Sequence, residues 1–503
     1  MSEPFYITTA ISYPNGPPHI GHAYEAIAAD AIARFQRAQG RDVKLVTGTD
    51  EHGLKMVQTA RREGRDTLEF ADEMSGYFRD MCARLNISYD AFVRTSEPRH
   101  HRASVAIWKA MEEAGDLYLD RYEGWYSVRD EAFYDESELV PGEGGEKLSP
   151  QGTPVEWTAE ETWFFRLSKY QEPLLQLYRD NPEFIRPESR RNEVLRFVEG
   201  GLKDLSVSRT SFDWGVPVPG SPDHVMYVWV DALTTYMTAV GYPDLEGQFA
   251  RYWPADVHLI GKDIVRFHTV YWPAFLMSAK LPVPKQVFAH GFLLSRGEKM
   301  SKSLGNVVDP MTLAERFGVD ALRYFLLREV SFGQDGSYSA EAIVARANAE
   351  LANSFGNLAQ RTLSMIVKNL DGVLPAPGEA SEDKELLAVV SAAVDDEVPA
   401  AFERFAFSVG IEAWLRAVFA CNAYIDTQAP WALRKTDPDR MATVLGTLVE
   451  ALRKLTPAIA PIIPSSAEKL LAVLDAGEGG APIAQPTPLF PRLELPEDEE
   501  AVA

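Results

Sequence analysis

The stretch Ser12-Tyr13-Pro14-Asn15-Gly16-Pro17-Pro18-His19-Ile20-Gly21-His22 sets the terms for the rest of the chain. Before it, residues 5–11 are aromatic and β-branched, the mark of a buried strand. After it, residues 23–39 are rich in Ala and Ile, with Ile27, Ala31, Ile32 and Phe35 at helical spacing and Gly40 as a stop. In an open parallel sheet, such strand-to-helix turns lie at the carboxyl ends of strands, where ligands bind. The prolines stiffen the turn, Asn15-Gly16 permits a tight bend, and Gly21 opens the helix without a side chain in the way. Amides at the helix start favour a phosphate, and His19 and His22 offer further donors. A histidine at a helix start serves equally well as a cap, and this stretch alone leaves both readings open.

The chain has 503 residues, more than one core organises, so two to four domains are expected. No run approaches eighteen apolar residues, and the chain opens directly into a strand without a secretory signal. No membrane partner and a cytoplasmic location are therefore expected. Cys82 and Cys421 have no spacing partners, which excludes a disulfide framework and a Cys-based zinc knuckle. The formal charge of -23 disfavours a general nucleic-acid partner, but net charge does not locate a patch and leaves a basic stripe open.

Strand and helix alternate over residues 1–114, with residues 42–47 as a second strand leading to Asp50. That rhythm is the pattern of a parallel, doubly wound sheet. Asp50 at a strand end reads either as a helix cap or as an anionic anchor for an ammonium or a ribose hydroxyl. Residues 115–215 break the rhythm with short strands and turn-rich loops and read as an inserted domain. The sheet pattern resumes over 216–290, with strands expected at 227–232, 257–263 and 287–294. The loop Ser295–Asn306 that follows is small, polar and cationic, suited either to solvent or to closing over phosphates. Beyond residue 346 the helical period takes over, giving a bundle to about 495 and an acidic tail over 496–503.

His19-Ile20-Gly21-His22 and Lys299-Met300-Ser301-Lys302-Ser303 stand 280 positions apart, from His19 to Lys299, each at a predicted strand end. Together they resemble the two signatures of class I aminoacyl-tRNA synthetases, and within that class the chain resembles the methionyl-tRNA synthetase family over essentially its whole length. That resemblance implies a Rossmann-like α/β catalytic domain with an inserted connective domain, a stem-contact region over 291–345 and a C-terminal α-helical anticodon-binding bundle. It implies ATP-dependent activation of L-methionine and transfer to tRNA(Met), the initiator included, with Mg²⁺ accompanying ATP.

The family's methionine pocket falls here on Ala10, Ile11, Tyr13, Asp50, Trp229, Ala232, Tyr236, Ile264 and His268. Leu233 departs from the Pro found after the Ala in some members. Ile264, His268 and Trp272 stand at i, i+4 and i+8, which suits one helix face as a pocket wall or as a plain core stripe. The resemblance assigns the phosphates to His19, His22, Lys299 and Lys302, and further ATP contacts to Gly21, Met300, Ser301, Ser303 and Asp263. It assigns the anticodon to Asn357, Arg361 and Trp431. An aromatic after Pro, such as Trp431, also reads as a helix start that packs down. Many relatives hold zinc in the inserted domain with Cys clusters, and their absence here makes a metal-free insert the expectation, packed by Trp125, Tyr126 and Phe133. An insert of this size is small for the editing domain that Leu, Ile and Val enzymes need, since one methylene discriminates by only about 1–3 kcal/mol. The short chain after the bundle makes a monomer the expectation.

Overall fold

The computed structural model describes residues 2–127, 132–295, 298–299 and 308–495. The chain opens with β1 (Pro4–Thr9), whose last five residues are buried, and passes through the turn into helix α1 (Ile20–Ala38). By internal contacts it divides into two units. One comprises the chain through Pro18, Gly40–Cys82 and Ser88–His290; the other comprises His19–Gln39, Ala83–Ile87 and the chain from Gly291.

The first unit is built on a six-stranded sheet, with β2 (Asp42–Thr49), β3 (Ala91–Arg94), β4 (Ile185–Arg186), β5 (Val257–Gly261) and β6 (Val287–His290) joining β1. The order is β3-β2-β1-β5-β6-β4 and every pairing is parallel. Its central strands are buried along nearly their whole length, which removes the alternation of a half-exposed strand. Strand order reverses direction between β1 and β5, and a crevice opens at such a switch point.

The region read as an insert carries a long antiparallel hairpin, Leu117–Ser127 with Glu156–Phe165. It also supplies β4, the edge strand of the main sheet. Phe165 at the hairpin's end meets Phe275 edge-on at 4.9 Å, inside one apolar core that includes Trp108 and Trp272. Of the residues expected to pack the insert, Trp125 meets Trp157 at 5.4 Å under the Lys147 ammonium, and Tyr126 lies beneath Arg209. Trp157 is 57% exposed, so this aromatic pair sits at the hairpin's edge and the core lies at its base. Phe133 falls in strand Ala132–Tyr134.

Two expected strands differ. Residues 227–232 are not a strand: Tyr227 caps helix α2 (Val228–Thr238), and the strand ends at Met226. The segment is buried almost all round, and a short apolar run has no period that separates strand from helix. Residues 287–294 break at Gly291: β6 stops at His290, and Leu293–Ser295 joins a separate small sheet. A Cβ at Gly291 would lie 2.2 Å from the Gln334 carbonyl oxygen, so only glycine fits there.

The second unit joins α1 to helices of the C-terminal half. Helix Val319–Glu329 places Arg323 wholly out of solvent. Its guanidinium donates to Asp30 of α1 at 2.6 Å and to the carbonyls of Leu85, Pro461 and Ile462 at 3.2, 2.9 and 3.0 Å. Arg34 also donates to Asp30, at 2.7 Å. The bundle contains helices α3 (Asn357–Asn369), α4 (Phe407–Gln428), α5 (Pro430–Thr436) and α6 (Pro438–Ile459). Trp414 of α4 is fully buried and donates its indole N–H to the Leu455 carbonyl of α6 at 2.9 Å. Bidentate bonds from Arg440 to the buried Asp383, at 2.6 and 2.8 Å, tie α6 to helix Ser381–Ser391. Among the described residues no helix is long and apolar enough to cross a membrane.

Candidate active site and its relatives

In the first unit, the predicted methionine residues gather at the carboxyl ends of β1, β2 and β5. Ala10 donates its amide to the Leu259 carbonyl at 3.0 Å, Ser12 to Gly48 at 2.9 Å, and Asp50 to Ser12 at 2.8 Å. Residues 10–13, Ile11 among them, therefore run on past β1 between the ends of its two neighbours. The Tyr13 hydroxyl accepts from the Met56 amide at 3.2 Å. Asp50 is buried.

Helix α2 presents Trp229, Ala232 and Tyr236. The Trp229 ring stacks on Phe267, with centroids 3.8 Å apart and planes 9° from parallel. Tyr236 is buried, and its hydroxyl lies 2.6 Å from His268 Nε2. His268 Nδ1 lies 3.0 Å from the Ile264 carbonyl, which only accepts, so Nδ1 carries the hydrogen. Burial lowers the His268 pKa from 6.5 to about 4, so the ring is neutral near pH 7 and Nε2 is an acceptor. The Tyr236 hydroxyl therefore donates to it. Behind them the buried His258 is also held well below its ordinary range, by burial and then by His268. Its Nε2 accepts from the Trp272 indole at 3.3 Å, and its Nδ1 faces the Thr8 hydroxyl at 2.7 Å. The result is an uncharged aromatic wall of fixed tautomers.

The expected helical stripe of Ile264, His268 and Trp272 is divided among a short 3₁₀ turn (Lys262–Ile264), a wide π-turn (Phe267–Tyr271) and a final helix (Trp272–Ser278). Tyr236 still meets both His268 and Trp272, at 5.6 and 6.4 Å between centroids. Asp263 is exposed on the first of these turns.

The sequence reading assigned no role to a second set of side chains beside this wall. Asp231 of α2 is fully buried, and His52 donates to it through Nδ1 while His100 donates through Nε2 at 2.5 Å. Burial alone would raise the Asp231 pKa, but the two histidines outweigh it and hold the carboxyl well below the usual range. Glu51, also buried, takes a bidentate pair from Arg94 at 2.6 and 3.0 Å and a hydroxyl bond from Thr49 at 2.7 Å. One signal was available: a carboxylate inside the apolar run 227–232 has to find a partner if it is buried.

In the second unit, His19 is the N-cap of α1. Its Nδ1 accepts from the Gly21 amide at 3.1 Å, while His22 Nδ1 accepts from the His19 amide at 3.1 Å. The two rings stack with centroids 3.9 Å apart. With Nδ1 accepting, each neutral ring carries its hydrogen on Nε2. A Cβ at Gly21 would lie 2.8 Å from His19 Cε1, so the folded-over ring requires glycine. The cap reading of these histidines is thus what the geometry displays. Lys299 lies in strand Glu298–Lys299, paired with Leu294. Met300, Ser301, Lys302 and Ser303 lie outside the described residues. In the bundle, Arg361 of α3 donates to Asp426 at 2.8 Å, and its guanidinium lies 5.3 Å from the Trp431 ring centroid. Trp431 is 48% exposed and does not pack into the core, and Asn357 is exposed one turn earlier on α3. Among the described residues, no group of three or more His, Cys, Asp or Glu side chains is placed to hold a metal ion.

Comparison with known proteins bears on both units. A family profile described as "tRNA synthetases class I (M)" matches residues 5–363, and one described as "Anticodon binding domain of methionyl tRNA ligase" matches 374–487. The methionine--tRNA ligase of Brucella suis is 58% identical over 97% of this chain and 98% of its own length; that of Mycobacterium bovis is 54% identical over 99% of each. The solved structure of Mycobacterium tuberculosis methionyl-tRNA synthetase in complex with methionyl-adenylate superposes with a TM-score of 0.94 at 54% identity, covering 97% of this chain and all of that one. The signatures, the parallel sheet with its switch point and these likenesses converge: the chain belongs to the methionine--tRNA ligase family of class I tRNA synthetases.

Proposed function

We propose that the residues gathered here divide the work of a methionine--tRNA ligase as follows. Asp50 takes the substrate ammonium. Ala10, Ile11, Tyr13, Trp229, Ala232, Tyr236, Ile264 and His268 enclose the side chain. A thioether is uncharged and polarizable, so it gains from sulfur–aromatic contacts worth about 0.3–1.5 kcal/mol each and gains nothing from an ion. The observation that carries this reading is the Tyr236–His268–Ile264 chain: it fills a buried wall with aromatic groups, neutral near pH 7, whose polar atoms bond one another.

In the first step, the methionine carboxylate oxygen attacks the α-phosphorus of ATP, the bond to the bridging oxygen breaks, and pyrophosphate leaves as methionyl-adenylate forms. No side-chain nucleophile is needed, and catalysis comes from positioning and from donors aimed at developing charge. His19 and His22 offer Nε2–H, Gly21 keeps the His19 ring in place, and the start of α1 favours phosphate. Lys299 and Lys302 clamp the outer phosphates, with Met300, Ser301, Ser303 and Asp263 completing the ATP site. Mg²⁺ would arrive with ATP as part of the substrate and would offset charge on its phosphates. In the second step, a hydroxyl of the tRNA's terminal ribose attacks the activated carbonyl and AMP leaves. Asn357 and Arg361 bond anticodon base edges, and Trp431 stacks an unpaired base. The initiator tRNA is charged in the same way. A monomer is part of this proposal.

The test is pyrophosphate exchange into ATP with each of the twenty amino acids in turn. Methionine alone should support it, and Asp50→Ala should abolish or severely weaken that exchange. Exchange with a different amino acid only, or with none, refutes the reading.

A further inference from the structure

The three residues that follow β2, Asp50, Glu51 and His52, are anchored in three directions. The Asp50 amide bonds to Ser12, between Ile11 and Tyr13. Glu51 is held toward β3 by Arg94, and by the Thr95 hydroxyl on its amide at 2.8 Å. Its carbonyl accepts from the Trp214 indole at 2.5 Å. His52 is held toward α2 by Asp231. A buried carboxylate is expensive to desolvate, and this one is compensated by charge-assisted bonds from both sides. On its far side, His100 is itself braced through Nδ1 by the Thr238 hydroxyl at 2.9 Å. Asp231 and His100 thus stay joined to α2 and to helix Pro98–Glu113, whatever His52 does.

Asp231 lies on the helix that carries Trp229, Ala232 and Tyr236, and His52 lies two residues beyond Asp50. Resting on the site reading above, we propose that the His52–Asp231 bond is a positioning device for methionine: it fixes the span between the carboxylate that takes the ammonium and the wall that takes the side chain. A substrate gripped at both ends binds well only if that span is set before it arrives. His52 and Asp231 touch no reacting atom here and act through Asp50 and α2.

The test measures methionine binding by equilibrium dialysis of labelled methionine against the full-length protein, with ATP KM from pyrophosphate exchange and thermal melting as controls. His52→Ala should raise the methionine Kd about tenfold, the scale of one charge-assisted hydrogen bond, and should leave ATP KM within about twofold. His52→Asn, whose amide N–H takes roughly the place of Nδ1, should restore binding to within about twofold. Because His52 acts through Asp50, adding His52→Ala to Asp50→Asn should cost less than about twofold further. A full additional tenfold loss in that background, equal rises for methionine and ATP, or a lowered melting temperature with unchanged Kd overturns the proposal. An unchanged Kd in Asp50→Asn alone overturns the site reading itself, and with it the proposal; a weakened Kd there beside a silent His52→Ala overturns the proposal only.

Discussion

His268 gives the sharpest handle on the buried wall. Its imidazole is buried and neutral, and burial holds its pKa at about 4 against an ordinary 6.5. As the pH falls below 6.5, the unfolded chain takes up a proton that the folded protein refuses until the pH nears 4. The contribution is therefore fully present above the unfolded pKa and is lost as pH falls toward the folded one. At about 1.36 kcal/mol per pH unit, the whole loss approaches roughly 3 kcal/mol, and about 1.4 kcal/mol of it is already gone at about pH 5.5. His268→Gln is the informative substitution, because its amide offers a donor for the Ile264 carbonyl and an acceptor for the Tyr236 hydroxyl but does not titrate. Urea unfolding of both proteins at about pH 7.5 and about pH 5.5 gives the comparison. The gap between them should move by about 1.4 kcal/mol in the variant's favour at the lower pH, since His258, held low first by its own burial, stays neutral in both and the remaining groups are common to them. If the two proteins lose stability in parallel, the imidazole is not held neutral by the fold and the tautomer argument fails with it.

Arg323→Met should destabilise the second unit by about 3 kcal/mol or more in urea unfolding, because three carbonyls and Asp30 lose a buried donor; a cost under about 1 kcal/mol would refute the network's role. Gly21→Ala should push the His19 ring out of its cap and raise ATP KM about tenfold in pyrophosphate exchange, with methionine Kd nearly unchanged. An unchanged ATP KM would separate the cap from phosphate binding. Trp431→Ala should lower kcat/KM for tRNA charging about 10- to 100-fold, the range for one lost base stack, while exchange, which needs no tRNA, persists. Equal loss of both activities would make Trp431 a structural residue.

The local pattern carried the turn, β1, β2, β5 and the long bundle helices, because each has a clear hydrophobic period or a Gly or Pro stop. It misplaced residues 227–232, where an apolar run buried all round has the same composition as strand or helix. It also missed the π-turn at 267–271, since nothing in a side-chain pattern marks one widened turn. Residues a few positions apart were legible as neighbours, as Ile264 and His268 were. The partnership of Asp231 with His52 and His100 spans 179 and 131 positions and leaves no local trace. Tyr236 and His268, 32 positions apart, could be paired from the sequence only through the family resemblance; the direction of their hydrogen bond needed the Ile264 carbonyl to settle it.

The Arg323 network carries a consequence for dissecting the molecule. Helix α1, with the first signature at its tip, belongs to the same compact unit as the chain from Gly291, although some 250 residues separate them in sequence. A fragment started at Gly291 would keep Arg323 and the Pro461 and Ile462 carbonyls but discard Asp30 and Leu85. It would bury a guanidinium without its counter-charge. No single cut yields the helical unit intact, so the helix that carries the first signature and the C-terminal bundle are heirs to one shared foundation.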